Sequence, residues 1–358
     1  MTDSTPALSE ARLELIRRLS DAVAVSGDEG RVRAIVRHEL ESVADEIRTD
    51  RMGNLLAVRR SDGPAKLRVM LAAHMDEVGF IVRAIDHDGA LRVAPVGGLA
   101  AERLVGKRVW VGPAPSLGVV GVTPIHLVKK SDSQIRPDFS SLRIDLGASA
   151  DQVRDLGIRP GVIGTFATRF RMENDHLRGK ALDDRLGVSL LIELLRRPVK
   201  GVDLLGAFTV QEEIGARGAT VAAFTFEPDI GIALDCTPAM DLPTSEGRIN
   251  PDPNTRLGEG PAVYVADGKT VSDPRLVSMA IETAERLEIP FQIRQPGSGG
   301  TDARAIQRSK AGVPVISISV PGRYMHSAVA LAIASDVLAT EALMKGFLAS
   351  LADGWPSL

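Results

Sequence analysis

The chain has 358 residues, 43 basic against 46 acidic, with a net charge of −3 and one cysteine. That length accommodates a large α/β domain and a smaller one with ample core burial, and the charge balance lacks the basic excess that a phosphate backbone requires, which excludes nucleic acid as a partner. One cysteine makes no internal disulfide, the N-terminus lacks a signal pattern, and the longest apolar runs, such as Val313 to Val320, fall far short of the roughly 20 residues of a membrane span, so the expectation is a soluble cytoplasmic protein with no membrane partner.

Val32, Ile35, Val36, Leu40 and Val43 recur at helical spacing behind a Ser26–Glu29 turn that offers capping residues, which predicts an amphipathic helix. Two β-type runs follow, Leu55 to Val58 and Leu67 to Ala73, the second apolar enough to be buried on both faces. From about Val78 to Phe170 short β-type runs alternate with Gly and Pro, the texture of a small β-rich, barrel-like domain. Beyond Lys180 the pattern turns to strands alternating with helices. A helix carries Leu186, Leu190 and Leu194, strands run over Leu204 to Val210 and Ile230 to Leu234, and a helix spans Leu276 to Leu287. Strand Val313 to Val320 comes next, and a last helix carries Val337, Leu338, Leu343 and Phe347. The fold class is therefore α/β, a mixed sheet flanked by helices, with the β-rich segment 76–172 inserted between 1–75 and 173–358.

Four apolar strands each end in a residue that binds metal or moves protons. His74 and Asp76 follow Leu71-Ala-Ala, Glu212 and Glu213 follow Phe208-Thr-Val-Gln, Asp235 follows Ile232-Ala-Leu, and His326 lies beyond Ile318-Ser-Val. Ligands of open α/β sheets bind beyond the carboxyl ends of strands, so one site assembled from distant segments is expected there. An acidic pair, Asp183-Asp184, precedes the Leu186 helix, and since Asp184 also suits an N-cap, only one of the two need be functional. Two imidazoles with several carboxylates and no thiolate cluster suit Zn²⁺, Mn²⁺ or Co²⁺ in an open catalytic site. Two ions sharing a bridging carboxylate and a hydroxide would need a free carboxylate to shuttle the proton. Neighbouring side chains of a strand project to opposite sides, so Glu212 and Glu213 divide the work, one on metal and one beside the water, unless the backbone bends.

With these residues in order, the chain resembles the glutamyl-type and tetrahedral (TET) aminopeptidases, a family of co-catalytic metallopeptidases. The matching segments are His74-Met-Asp76-Glu77-Val78-Gly79, Lys180-Ala-Leu-Asp183-Asp184-Arg185, Gln211-Glu212-Glu213-Ile-Gly215, Leu234-Asp235, Gly299-Gly300-Thr301-Asp302-Ala303 and Arg323-Tyr324-Met325-His326-Ser327. The resemblance implies two divalent ions per subunit (Zn, Co or Mn), with Asp183 bridging them. His74 and Asp235 would hold one and Glu213 and His326 the other, with Glu212 as general base. Asp76 would orient the His74 imidazole, as metal-bound histidines require. It also implies cleavage of single residues from free N-termini of short peptides, and a tetrahedral homododecamer in which the inserted domain makes subunit contacts. Cys236 departs from the small aliphatic residue expected after Asp235 and is expected to point away from the metals.

The remaining histidines, His38, His87, His126 and His176, keep structural readings, although His126 could approach a neighbouring site in an oligomer. The Gly297–Gly300 loop lacks a P-loop lysine and reads as a tight turn near the site. Arg323 could favour an acidic substrate side chain or form a structural ion pair. Competing functions are a deacylase of small N-acyl amino acids, a glycoside hydrolase, and a catalytically dead scaffold. The second leaves both histidines unexplained, and the third leaves Glu212 without a purpose.

Overall fold

The computed structural model describes residues 7–124, 126, 136–243, 246–248, 250–251 and 253–355. Its strands form an 11-stranded sheet and a closed barrel of six strands. The four apolar strands expected from the sequence lie side by side at the centre of the large sheet, in the order Val202–Thr209, Leu67–His74, Ile230–Pro238, Val315–Arg323. Each neighbouring pair is parallel, so the four C-terminal ends share one edge of the sheet.

Both faces of this centre are covered, as an apolar parallel strand requires. Along Leu67–His74 the side chains alternate. Val69, Leu71 and Ala73 enter one apolar cluster with helices Glu10–Asp21, Gly30–Leu40, Leu182–Leu195 and Ala334–Asp353. Met70 and Ala72 enter another with helices Arg217–Phe226 and Ala303–Ile306. Leu186, Leu190 and Leu194 are core, as read, and truncating one of them to Ala would cost about 2–5 kcal/mol.

The β-rich segment supplies the barrel. Its strands run in the order Gly79–Ile85, Leu91–Val96, Arg143–Asp145, Ser116–Gly121, Arg108–Val111, Ile163–Phe166, and the ring closes where Phe80 pairs with Gly164. Phe80, Leu91, Val109, Ile144 and Phe166 fill a core of its own. The short strand Arg171–Glu173 already pairs with His176–Gly179 in the large sheet. Among the described residues no helix is long and apolar enough to cross a membrane.

One element was not read from the sequence and one local expectation is corrected. A helix, Glu10–Asp21, with Ser9 accepting from the Arg12 N–H, precedes the expected one. The Ser26–Glu29 turn does not cap helix Gly30–Leu40 through side chains. Ser26 Oγ donates instead to Asp76 Oδ2 at 2.5 Å, and Glu29 accepts from the N–H groups of Gly27 (2.7 Å) and Gln211 (3.2 Å). Water can satisfy exposed helix N–H groups, whereas a buried carboxylate and a buried loop depend on protein partners, so the side chains serve the latter.

Sheet and barrel are joined through a buried charge cluster. Glu77 Oε1 accepts from Lys180 Nζ at 2.7 Å and the Ala24 N–H at 3.0 Å, with Arg185 Nη2 at 3.4 Å, while Oε2 accepts from Thr165 of the barrel at 3.0 Å. Burial pulls the Lys180 ammonium down to about 8 even though Glu77 works to raise it. Removing the carboxylate would leave two buried cations uncompensated, so Glu77→Gln is expected to destabilise the fold by about 3–5 kcal/mol. Urea unfolding measures this; an unchanged midpoint would mean that the cluster contributes nothing to stability.

Candidate metal centre and catalytic cleft

At the C-terminal edge of the large sheet the predicted residues converge from five segments. His74 ends its strand, buried, and its Nδ1 lies 3.1 Å from the Asp76 carbonyl oxygen and 3.4 Å from Asp76 Oδ1. These contacts make Nδ1 the donor and turn Nε2 towards Asp183 Oδ1, 3.1 Å away, and Asp235 Oδ1, 3.9 Å away. His326 is held likewise. Its Nδ1 faces the Gly98 carbonyl at 3.1 Å, and its Nε2 lies 3.4 Å from Asp183 Oδ2 and 3.1 Å from Glu213 Oε1. A Cβ on Gly98 would stand 2.9 Å from that Nδ1, so only glycine lets the barrel backbone approach so closely.

The donor atoms of His74, Asp183 and Asp235 form one group within 4.8 Å of one another, and those of Asp183, Glu213 and His326 form a second. Asp183 belongs to both. Its neighbour Asp184 is buried and accepts from the N–H groups of Gly187 (3.0 Å) and His74 (3.1 Å). The bond to Gly187, three residues on, is the contact of a capping aspartate, and a Cβ on Gly187 would fall 2.2 Å from Asp184 Oδ1.

The strand carrying the two glutamates ends at Thr209, and Gln211, at φ +58°, bends the chain before them. Asp76 fixes the bend, its Oδ1 accepting from the Glu212 N–H at 2.9 Å and its Oδ2 from the Glu213 N–H at 3.1 Å. Glu213 thereby reaches His326, while Glu212 Oε1 accepts from Arg304 Nη2 at 2.9 Å. Arg304 is absent from the sequence reading, and Ser26 and Glu29 enter it only as capping residues. Arg304 directly follows the Gly299–Ala303 segment, and that adjacency was the one available signal; Ser26 and Glu29 carried none beyond their capping chemistry.

A cleft of about 770 Å³ opens over these residues, its walls including His74, Asp183, Glu212, Glu213, Asp235 and His326, with Gly98 and Arg103 from the barrel side. The Gly297–Gly300 loop lines it as well. Burial, reinforced by Asp184 and Asp183, holds the Asp235 carboxyl well above its ordinary range, and burial raises Glu213. Burial, with Asp302 and Glu213, pushes Glu212 up to about 8 against the pull of His74 and Arg304. Burial alone would lower His326, but the Asp183 and Glu213 carboxylates outweigh it and push the imidazole up to about 11.

These shifts have one cause: the site concentrates negative charge away from water and favours any positive charge placed between its carboxylates. Imidazole nitrogens aimed inward, carboxylate oxygens and no thiolate in either group form a donor set that fits divalent ions of the Zn²⁺, Co²⁺ or Mn²⁺ kind. Cys236 Sγ is engaged elsewhere, donating to the Leu182 carbonyl at 3.2 Å, although the residue does line the cleft. Arg323 forms a two-pronged ion pair with Asp241, both contacts at 2.7 Å. Of the other histidines, His176 lies 2.8 Å from the Asn174 carbonyl, and His38, His87 and the exposed His126 belong to neither donor group.

The fold and the two donor groups fit a metal-dependent hydrolase, and comparison with known proteins gives the class. The model of the M42 glutamyl aminopeptidases matches residues 53–343, and the chain belongs to that family. It is a hydrolase of the aminopeptidase class, and peptidases of this family are metal-dependent. Among curated relatives, the lysyl aminopeptidase of Pyrococcus furiosus is 39% identical over 94% of this chain and 97% of its own. An aminopeptidase from the archaeon Desulfurococcus kamchatkensis superposes with a TM-score of 0.88 at 34% identity, over 94% of each chain. The TET1 peptidase of Pyrococcus horikoshii, described as able to assemble into a tetrahedron or a large octahedral shell, superposes with a TM-score of 0.81 at 30% identity, over 95% of this chain and 99% of its own.

Proposed function

We propose that the chain removes single amino acids from the free N-termini of short peptides with two divalent metal ions per subunit. In this reading His74 and Asp235 would hold one ion and Glu213 and His326 the other, with Asp183 available to both. The observation that carries it is the placement of Asp183, whose Oδ1 faces His74 at 3.1 Å while Oδ2 faces His326 at 3.4 Å. When bound, the ions supply Lewis-acid polarisation of the scissile carbonyl and acidify water.

The chain's own residues do the rest. Glu212 takes the proton of the attacking water and returns it to the leaving amine. Its Oε1 is anchored by Arg304, and Oε2 makes no hydrogen bond among the described residues, which leaves an oxygen free for that proton. Asp76 positions both halves of the machinery: it orients the His74 ring and ties down the N–H groups of Glu212 and Glu213. The Gly98 carbonyl plays the orienting part for His326.

The same reading takes 1–75 and 173–358 as the catalytic domain and the inserted 76–172 as an oligomerisation domain, in a cytoplasmic, tetrahedral homododecamer whose sites face an inner cavity. The likeness to a TET peptidase of described tetrahedral assembly supports this, as does the single cysteine, which suits a reducing compartment. Light scattering should report a mass near twelve chains, and a monomer under every metal condition would contradict the assembly.

The substrate class is tested with aminoacyl arylamides and short peptides, free and N-acetylated, under several metals. Stepwise trimming of free peptides is expected. Preference for N-acetylated substrates would move the assignment to a deacylase of small N-acyl amino acids. The pairing of Arg323 with Asp241 weakens it as a selector of acidic first residues, so replacing Arg323 should leave the ranking of first-position side chains unchanged.

A further inference from the structure

A second cavity, of about 870 Å³, adjoins the catalytic cleft, and Lys269 and Arg304 stand in the walls of both. Every charged residue lining it is basic: Lys269, Arg304, Arg308 and Lys310, with no Asp or Glu. Arg304 is committed to the cleft side, where its Nη2 holds Glu212. Arg308 is oriented by donation from its Nε to the Arg304 carbonyl at 3.0 Å, and among the described residues neither Arg308 nor Lys269 makes an ion pair. The Lys310 ammonium sits 3.6 Å from the centre of the Phe224 ring and 2.7 Å from Glu227. Phe224 is 60% exposed, which places open apolar surface beside the cations.

We propose that this cavity is a subsite for a carboxylate of the peptide substrate, downstream of the bond being cut, with Arg308 as its principal cation and Lys310, shared with Glu227, beside it; the proposal rests on the aminopeptidase reading of the neighbouring cleft. A peptide with its first residue among His74, Asp183 and Asp235 can run onward past Lys269 and Arg304, the wall common to the two cavities. An extended chain advances roughly 3.3 Å per residue, so peptide length decides which substrates bring a carboxylate to the second cavity. Short peptides bring one at the C-terminus and longer ones can bring one on an acidic side chain. Cations over partly apolar ground bind either more firmly than fully solvated cations would.

The test compares KM and kcat for tri-, tetra- and pentaalanine with free and amidated C-termini, on the metal-loaded enzyme. At one or more lengths amidation should raise KM about tenfold, the scale of one charge-assisted contact, with kcat little changed. The double variant Arg308→Gln/Lys310→Gln should erase the difference, and Arg308→Lys should keep most of it. Amidated peptides carrying Glu or Gln at the last position separate the two sources. Recovery by Glu alone extends the subsite to side-chain carboxylates, and equal KM for both confines it to the C-terminus. Indifference to amidation at every length, or a difference that survives in the double variant, would overturn the subsite. Alanyl p-nitroanilide carries no downstream carboxylate and reports on the cleft alone, so failure of the metal-loaded wild type to cleave it would count against the aminopeptidase reading and not against the subsite.

Discussion

Glu212→Gln is expected to keep near-normal metal content while kcat falls by 10²-fold or more, the usual scale of lost general-base catalysis. The residue is 8% exposed, lines the cleft and belongs to neither group of converging donor atoms, whereas Glu213 beside it lies 3.1 Å from His326. Its environment also suits the task. Burial and the nearby Asp302 and Glu213 carboxylates push it up to about 8, so the chain alone gives it a proton affinity far above that of a solvated glutamate. Gln keeps the shape and can still accept from Arg304 but cannot take a proton. Metal analysis and steady-state kinetics on the same preparations decide the matter. If Glu213→Gln kept metal and lost turnover while Glu212→Gln lost metal, the two roles would be exchanged.

Asp183→Asn is expected to empty both metal positions together and to abolish activity to at least the same extent, roughly 10²-fold or more. Each oxygen of Asp183 faces a different histidine, and its carboxyl is held far down because hydrogen bonds from His326 and His74 outweigh its burial. Asn retains one oxygen and loses the charge that both groups share. Replacing Asp235 should instead disturb chiefly the position it shares with His74. Metal stoichiometry of the two variants, measured side by side, separates a bridge from an ordinary ligand; equal loss in both would remove the special standing of Asp183.

The sequence was most legible where one residue's chemistry and one strand's hydrophobicity coincided. Leu67–His74, Ile230–Pro238 and Val315–Arg323 are buried along most of their length, and His74 at the end of the first, Asp235 three residues inside the end of the second and His326 beyond the third stood out against that background. Parallel alignment then forces those ends onto one edge, which is why distant segments could be read as one site. What escaped was set by tertiary contact. The bend at Gln211 has no local signature, and it takes the tie from Asp76 to two backbone N–H groups to explain how adjacent glutamates serve different partners. Ser26 and Glu29 carry capping chemistry, so sequence alone assigned them to the helix behind them, whereas the fold assigns them to Asp76 and the Gln211 loop. Arg304 is one arginine among many until Glu212 is found beside it.

Two metal ions, shared through Asp183, are expected to make this chain an aminopeptidase. The most direct measurement strips the purified enzyme with a chelator, confirms the loss by elemental analysis, and titrates Zn²⁺, Co²⁺ or Mn²⁺ back while hydrolysis of an aminoacyl arylamide is followed. Activity should vanish on stripping and return on titration, saturating at two ions bound per chain. Full activity in demonstrably metal-free enzyme, or saturation at one ion per chain, would contradict it.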